Sequence, residues 1–151
     1  LSRSLNLCIF RVDANERVIM SSSQAQLNSL DVKNYTNVLG LFSESHMQYH
    51  LFNDHDNNIG VGVQPSLMEM SQKALEMLSA NPNGYVILIE SGRIDHGHHE
   101  NKAKLALEEV AHLHKVVELI RSEIIDEEET LMVVTADHSH SMTINGYAVR
   151  K

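Results

Sequence analysis

An α/β fold with a mostly parallel sheet is the architecture this sequence predicts, and three observations predict it. Short apolar runs near 38–42, 85–90 and 131–136 read as buried strands, since their hydrophobic residues do not alternate cleanly with polar ones. Stretches at 65–80 and 101–124 carry apolar residues at helical spacing. The alternation of strand and helix implies two right-handed crossovers between parallel strands. A length of 151 residues is enough for one domain with a core of its own.

Residues 1–37 follow no sustained pattern, although "NLCIF" at 6–10 fits a short strand and "SSSQAQLNSL" at 21–30 a loop or weak helix. Residues 43–64 are polar and rich in Asn, Asp and Gly, which predicts a long loop. The helix at 65–80 opens with Pro65, a residue suited to the first helical position, and its apolar stripe is Leu67, Met70, Ala74 and Leu78. The methionines from Met47 to Met77 read as packing. "NPNG" at 81–84 ends the helix with turn chemistry and hands the chain to the run at 85–90. In the helix at 101–124 the predicted core stripe is Ala103, Ala106, Leu107, Val110, Leu113, Val117, Ile120 and Ile124. "DEEE" at 126–129 reads as a solvated turn before the run at 131–136.

Composition narrows the function. The net charge is −8 with histidines neutral, and no Lys/Arg-rich run is present, which argues against a nucleic-acid partner. An acidic chain that handles an anion needs local positive charge, and bound metal ions would supply it. Cys8 is the single cysteine, so no internal disulfide is available. No apolar run approaches the ~20 residues of a membrane-spanning helix. The chain begins at Leu1, which fits a mature product or a piece of something longer, and Asn34-Tyr-Thr is a glycosylation sequon.

The chemistry concentrates in "ESGRIDHGHHE", residues 90–100. In open parallel sheets ligands bind beyond the carboxyl ends of strands, and two predicted strands end in metal-capable residues. Asp95 and His99 are four apart, one helical turn, so both can face one ion. Asp137 and His138 are adjacent and can share an ion only if the strand stops at Ala136 and the chain turns. Gly92 and Gly97 would let the intervening backbone bend. Mixed Asp/His ligation suits zinc, whereas the carboxylate of Glu90 suits magnesium. The bland alternative is a solvated His-rich loop. His46, His50 and His55 are expected in solvent, and His112 and His114 on a helix surface.

"YVILIESGRIDHGHHENKAKLAL" and "TLMVVTADHSH" closely resemble metal-binding segments of the alkaline phosphatases of animals. "GLF", "PSLMEMSQKALEML" and "INGYAVR" extend the resemblance over roughly 38–151, leaving 1–37 weakly matched. It implies a partial alkaline-phosphatase-like fold in which 1–151 is part of a single catalytic domain. It also implies a two-zinc, one-magnesium site that hydrolyses small phosphate monoesters through a phosphoserine intermediate. On this resemblance Glu90 is the magnesium ligand, Asp95 and His99 bind the first zinc, and Asp137 and His138 bind the second. His96 lies near magnesium and the phosphate, and His140 orients ligands from outside. The resemblance further implies a homodimer, secreted or held at the extracellular face of the membrane by a glycolipid anchor outside this chain. That context favours glycan attachment at Asn34.

The departures are as specific. The family's nucleophile lies in Asp-Ser-Ala, and no such triplet occurs here. The aspartate that bridges zinc and magnesium and the arginine that grips phosphate are also missing, and the first zinc's last histidine is expected beyond residue 151. The chain therefore resembles an internal segment, roughly the middle third, with no catalytic nucleophile. Ser91 stands where the family usually has glycine. Ser43 and Gln64 stand where vertebrate enzymes have acidic calcium ligands. The alternative reading is a non-catalytic binding module with a relic metal site. Given zinc, magnesium and p-nitrophenyl phosphate, the purified chain is expected to release no nitrophenol; metal-dependent release abolished by Asp95→Ala would overturn that expectation.

Overall fold

The computed structural model describes residues 7–11, 18–53, 64–126 and 128–143. Three strands, β1 (Leu7–Arg11), β2 (Val18–Ser21) and β3 (Asn37–Leu41), form one sheet with β3 in the centre. β2 runs parallel to β3 with Val18 opposite Asn37, and β1 runs antiparallel with Leu7 opposite Leu41. The helices are α1 (Gln24–Asn28), α2 (Leu67–Leu78), α3 (Arg93–His99) and α4 (Ala103–Leu119). Single 3-10 turns lie at Val32–Asn34 and His50–Phe52, and α4 runs on into a π turn at Ile120–Ile124. The α/β class stands, with one of the two strand pairings parallel.

Helix α2 is the hub of the core. Ala74 and Met77 pack with Leu30, Val32 and Val38 under the sheet. Met70 packs with Leu27, Phe42 and Met47. On its other side Leu75 packs with Val116 and Ile120 from the end of α4. Its start is fixed by a capping box at Ser66, not by Pro65 at the first helical position as the sequence suggested. Glu69 donates its N–H to Ser66 Oγ at 3.2 Å, and Ser66 donates its N–H to Glu69 Oε2 at 2.8 Å. Glu69 Oε1 also accepts from Gln24 at 2.7 Å and Asn28 at 3.1 Å, which ties α1 to α2. Burial alone would raise the Glu69 pKa, but these hydrogen bonds outweigh it and hold the carboxyl below its usual range.

Two expected strands are not strands. Among the described residues, 85–90 and 131–136 join no ladder. Burial alternates along the first of them: Tyr85, Ile87 and Ile89 pack on the cluster around Leu75, while Val86 and Leu88 are 96% and 93% exposed. Met132 packs on the same cluster, and Leu131 and Val133 are exposed. A strand exists only by pairing with a neighbour, and the sheet here is built instead from β1, β2 and β3, two of which come from the stretch that showed no clear pattern.

The inner face of α4 is also rotated from the expected one. Leu105, Ala106, Glu109, His112 and Val116 are buried, a 3.6-residue stripe, while Leu107 is 69% and Val110 45% exposed. A stripe that excludes charged residues misses Glu109 and His112, both of which find partners inside.

Helix α3 is short and rests on the start of α4 through Gly97. A Cβ there would stand 2.8 Å from Ala106 N and 3.0 Å from its Cα. Gly97 and Gly92 were expected as bending points, yet neither has positive φ; among the described glycines only Gly84 does. Gly97 serves close approach instead. In a free helix Gly→Ala stabilises by about 1 kcal/mol; here Gly97→Ala is expected to destabilise by about 1–3 kcal/mol through overpacking. At Gly92 a Cβ would meet only the Glu90 side chain, at 3.4 Å. Thermal unfolding should therefore show a lowered Tm for Gly97→Ala and little change for Gly92→Ala; a raised Tm for Gly97→Ala would refute the close-contact account.

Candidate metal centre

Helix α3 projects Asp95 and His99 from successive turns, with His99 Nε2 3.3 Å from Asp95 Oδ2. The chain after Ala136 turns back over this helix. It brings His140 Nε2 to 3.6 Å and His138 Nε2 to 3.8 Å from Asp95 Oδ1. Asp137 Oδ2 is 3.1 Å from His138 Nε2, so the exposed end of the cluster carries a second carboxylate. Asn101 pins the turn: its Oδ1 accepts from Thr143 N at 3.1 Å and Thr143 Oγ1 at 3.2 Å. Asn101 itself takes φ 53°, the left-handed conformation that lets α3 turn tightly into α4.

These spacings suit a shared cation. Two ligands each ~2.0–2.2 Å from a tetrahedral zinc stand about 3.3–3.6 Å apart, which is too long for a good hydrogen bond. Ligand atoms of Asp95, His99 and His140 all lie within 4.8 Å of one another. Among the described residues Asp95 Oδ1 is buried without a hydrogen-bond partner, a costly state for a carboxylate oxygen unless a cation or proton meets it. The donor set therefore fits a zinc-type ion. His140, given an orienting role by the resemblance, has its Nε2 nearly as close to Asp95 as that of His99. Glu90 is exposed and lies outside this group of three.

His96 faces elsewhere on α3. Its Nδ1 is 3.0 Å from Arg93 Nη1, and the His46 ring meets it edge-on at 4.3 Å. Burial, then the charges of His46 and Arg93, lower its pKa. Arg93 in turn lies 3.8 Å over the ring of Tyr49, whose hydroxyl donates to Glu100 Oε1 at 2.7 Å. Burial, reinforced by that hydrogen bond, pushes the Tyr49 pKa up to about 12. Lys102 holds Glu100 from the other side at 2.6 Å. Lys102 and then Tyr49 keep the Glu100 carboxyl below its usual range.

Three histidines expected in solvent or on a helix surface are placed differently. His46 is half-buried against His96. His50 stacks on His112 at 3.6 Å and 18°, and its N–H donates to Glu109 Oε1 at 2.6 Å. His112 is 5% exposed. His55 falls outside the described residues. Nearby, a cavity of about 250 Å³ is lined by His50, Asn53, Ser91, Arg93, Glu109 and His112 among others. Asn34 is exposed, with its Nδ2 2.7 Å from Asp31 Oδ2. Ser43 donates to His46 O at 3.1 Å, and Gln64 Oε1 accepts from Gln48 N at 2.9 Å. Both sit in neutral hydrogen bonds, where the vertebrate enzymes were expected to carry acidic residues. No helix among the described residues is long and apolar enough to cross a membrane.

A family model described as alkaline phosphatase matches residues 13–151. The membrane-bound alkaline phosphatase of Bombyx mori is 43% identical over 113 residues, 75% of this chain and 19% of the relative. The tissue-nonspecific alkaline phosphatase isozyme of Homo sapiens is 44% identical over 128 residues, 85% of this chain and 23% of the relative. The crystal structure of Thermus thermophilus alkaline phosphatase aligns with a TM-score of 0.60 at 34% identity, covering 68% of this chain and 20% of that one. The match thus spans about a fifth to a quarter of each relative.

The buried histidine on α4 has a consequence for stability. Burial, then the charges of His50 and Lys115, lower the His112 pKa to about 4, with Glu108 opposing. Unfolded, the same group titrates near 6.5, so between these values the unfolded chain binds the extra proton. The contribution is complete above about pH 6.5 and is lost as pH falls toward 4, about 2 kcal/mol at pH 5. Glu109, raised mainly by burial, acts with the opposite sign and favours the folded chain as pH falls. Thermal unfolding should show a smaller Tm loss from pH 7 to pH 5 in His112→Phe than in the parent; an equal loss would exclude His112 as the source.

Proposed function

This chain belongs to the alkaline phosphatase family, and on that premise we propose that it carries part of the metal centre of a phosphate monoester hydrolase. The observation that supports the reading best is the Asp95 carboxylate ringed by three imidazole nitrogens at 3.3–3.8 Å, one of its oxygens buried and without a hydrogen-bond partner. Asp95 and His99 would hold a first zinc, Asp137 and His138 a second, and Glu90 a magnesium ion. His140 would orient the first of these sites and join it if the ion draws the ring in. Bound there, divalent ions would supply the positive charge that phosphate oxygens, a nucleophile and a leaving alkoxide require.

The chain's own part is to hold and orient. Helix α3 keeps Asp95 and His99 one turn apart, and Asn101 keeps the segment carrying His138 and His140 folded over them. His96 would meet the phosphate, and small phosphate monoesters would be the substrates. The same reading takes residues 1–151 as part of one catalytic domain of a homodimeric enzyme, glycosylated at Asn34 and secreted or lipid-anchored at the cell surface.

Zinc titration of the purified chain, followed calorimetrically, tests the reading. Zinc affinity is expected to fall at least ~10–100-fold in Asp95→Ala, the scale of losing even an outer-shell partner. Glu90→Gln is expected to leave zinc binding intact and to weaken magnesium binding. Equal zinc affinity in Asp95→Ala and the parent would overturn the assignment.

A further inference from the structure

We propose that Arg93 is a positioning residue that fixes His96 as its Nε2–H tautomer, so that His96 meets an anionic phosphate as a hydrogen-bond donor and not as a base. The phosphate in this statement rests on the proposed function; the tautomer does not.

The argument begins with what each nitrogen is able to do. A guanidinium has five N–H donors, no acceptor, and does not lose its proton in a protein. Arg93 Nη1 stands 3.0 Å from His96 Nδ1. The contact is a hydrogen bond only if Nδ1 offers a lone pair. In neutral imidazole the ring proton then resides on Nε2. A doubly protonated ring would lose the bond and set two cations face to face.

The guanidinium is held in place from behind. Its Cζ lies 3.8 Å over the Tyr49 ring, a cation–π seat. Tyr49 is 4% exposed and its hydroxyl is tied to Glu100, which Lys102 holds in turn. Lys102, Glu100, Tyr49, Arg93 and His96 thus form one chain of contacts that ends at Nδ1. The His46 ring, 4.3 Å away and edge-on, fills the space beside the imidazole.

The consequence is a division of labour within one short helix. His99 has Nε2 directed at Asp95, where a lone pair would serve a metal ion. His96, three residues earlier, has no lone pair left at Nε2. It is able to donate one hydrogen bond to a phosphate oxygen, and is unable to take a proton or a metal there while Arg93 stays bound.

Nitrogen-15 spectra of the histidine and arginine side chains test this in the intact chain. Expected for His96 are a protonated Nε2, a bare Nδ1 and a nitrogen–nitrogen coupling to Arg93 across the hydrogen bond. Arg93→Met should abolish the coupling and give averaged ring nitrogens. Arg93→Lys keeps the charge without the planar fork and should average them too, which guards against a folding defect in the first variant. A proton on Nδ1 in the parent, or unchanged ring nitrogens in either folded variant, would overturn the lock. Inorganic phosphate added to the zinc- and magnesium-loaded chain should shift the Nε2–H signal. A locked ring with zinc bound but no response to phosphate overturns the donor role alone. A chain that binds no zinc sinks the phosphatase reading and leaves the tautomer result standing.

Discussion

The contact between Gly97 and the backbone of Ala106 is the constraint on which the site depends. A helix of seven residues has too few hydrogen bonds to persist alone, so α3 is helical because it is pressed against α4. That pressing is possible only where no Cβ intervenes. Once α3 is docked, the directions of its side chains follow from the helical period. Asp95 and His99 share one face, Arg93 and His96 another, and each face meets a different partner. The left-handed Asn101 then turns the chain into α4 and offers its side chain to Thr143. One close approach therefore orders both halves of the cluster around Asp95.

The sequence announced the parts of this arrangement that depend on local chemistry. Helix α2 was legible because its spacing and its terminal turn agree with one another, although its start was assigned to Pro65 and not to the Ser66/Glu69 box. The pair Asp95 and His99 was legible because four residues make one turn. Elements that depend on distant partners were not. The run at 85–90 has strand composition, yet composition does not say what lies beside it, and Val86 and Leu88 remain exposed. The face of α4 was misjudged because Glu109 and His112 look like surface residues until His50 arrives to meet them. Tyr49 and Arg93 gave no signal at all, since their pairing joins a loop to a helix more than forty residues later in the chain. β2 gave no signal because it lies in a polar, irregular start, whereas β1 and β3 fall close to the short runs at 6–10 and 38–42.

Charge explains why a cluster of this kind is tolerable in an acidic chain. With a net charge of −8, added carboxylates repel one another unless something positive lies among them. Glu69 is met by hydrogen-bond donors alone, and these suffice to keep it ionised. Glu100 has Lys102 and Tyr49. Among the described residues Asp95 has neither a lysine nor a backbone donor, only imidazole nitrogens at 3.3–3.8 Å. Its buried oxygen, without a hydrogen-bond partner among the described residues, is thus a place where a cation would be favoured.

Two histidine groups in the same molecule show why geometry, not residue count, separates a ligand cluster from a structural one. His50 and His112 stack face to face at 3.6 Å. The lone pairs of an imidazole lie in its ring plane, so two parallel rings aim theirs side by side and do not converge on a point. Such a pair is held by ring contact and by keeping one member neutral, in keeping with the depressed pKa of His112. Around Asp95 the rings of His99 and His140 stand at 90° to each other with their centroids 4.4 Å apart. Their Nε2 atoms approach one carboxylate from different directions. Rings inclined in this way direct lone pairs into a common space that a carboxylate already borders on one side, the arrangement a tetrahedral cation requires. The stacked pair ties a loop to α4; the inclined pair encloses a volume suited to an ion.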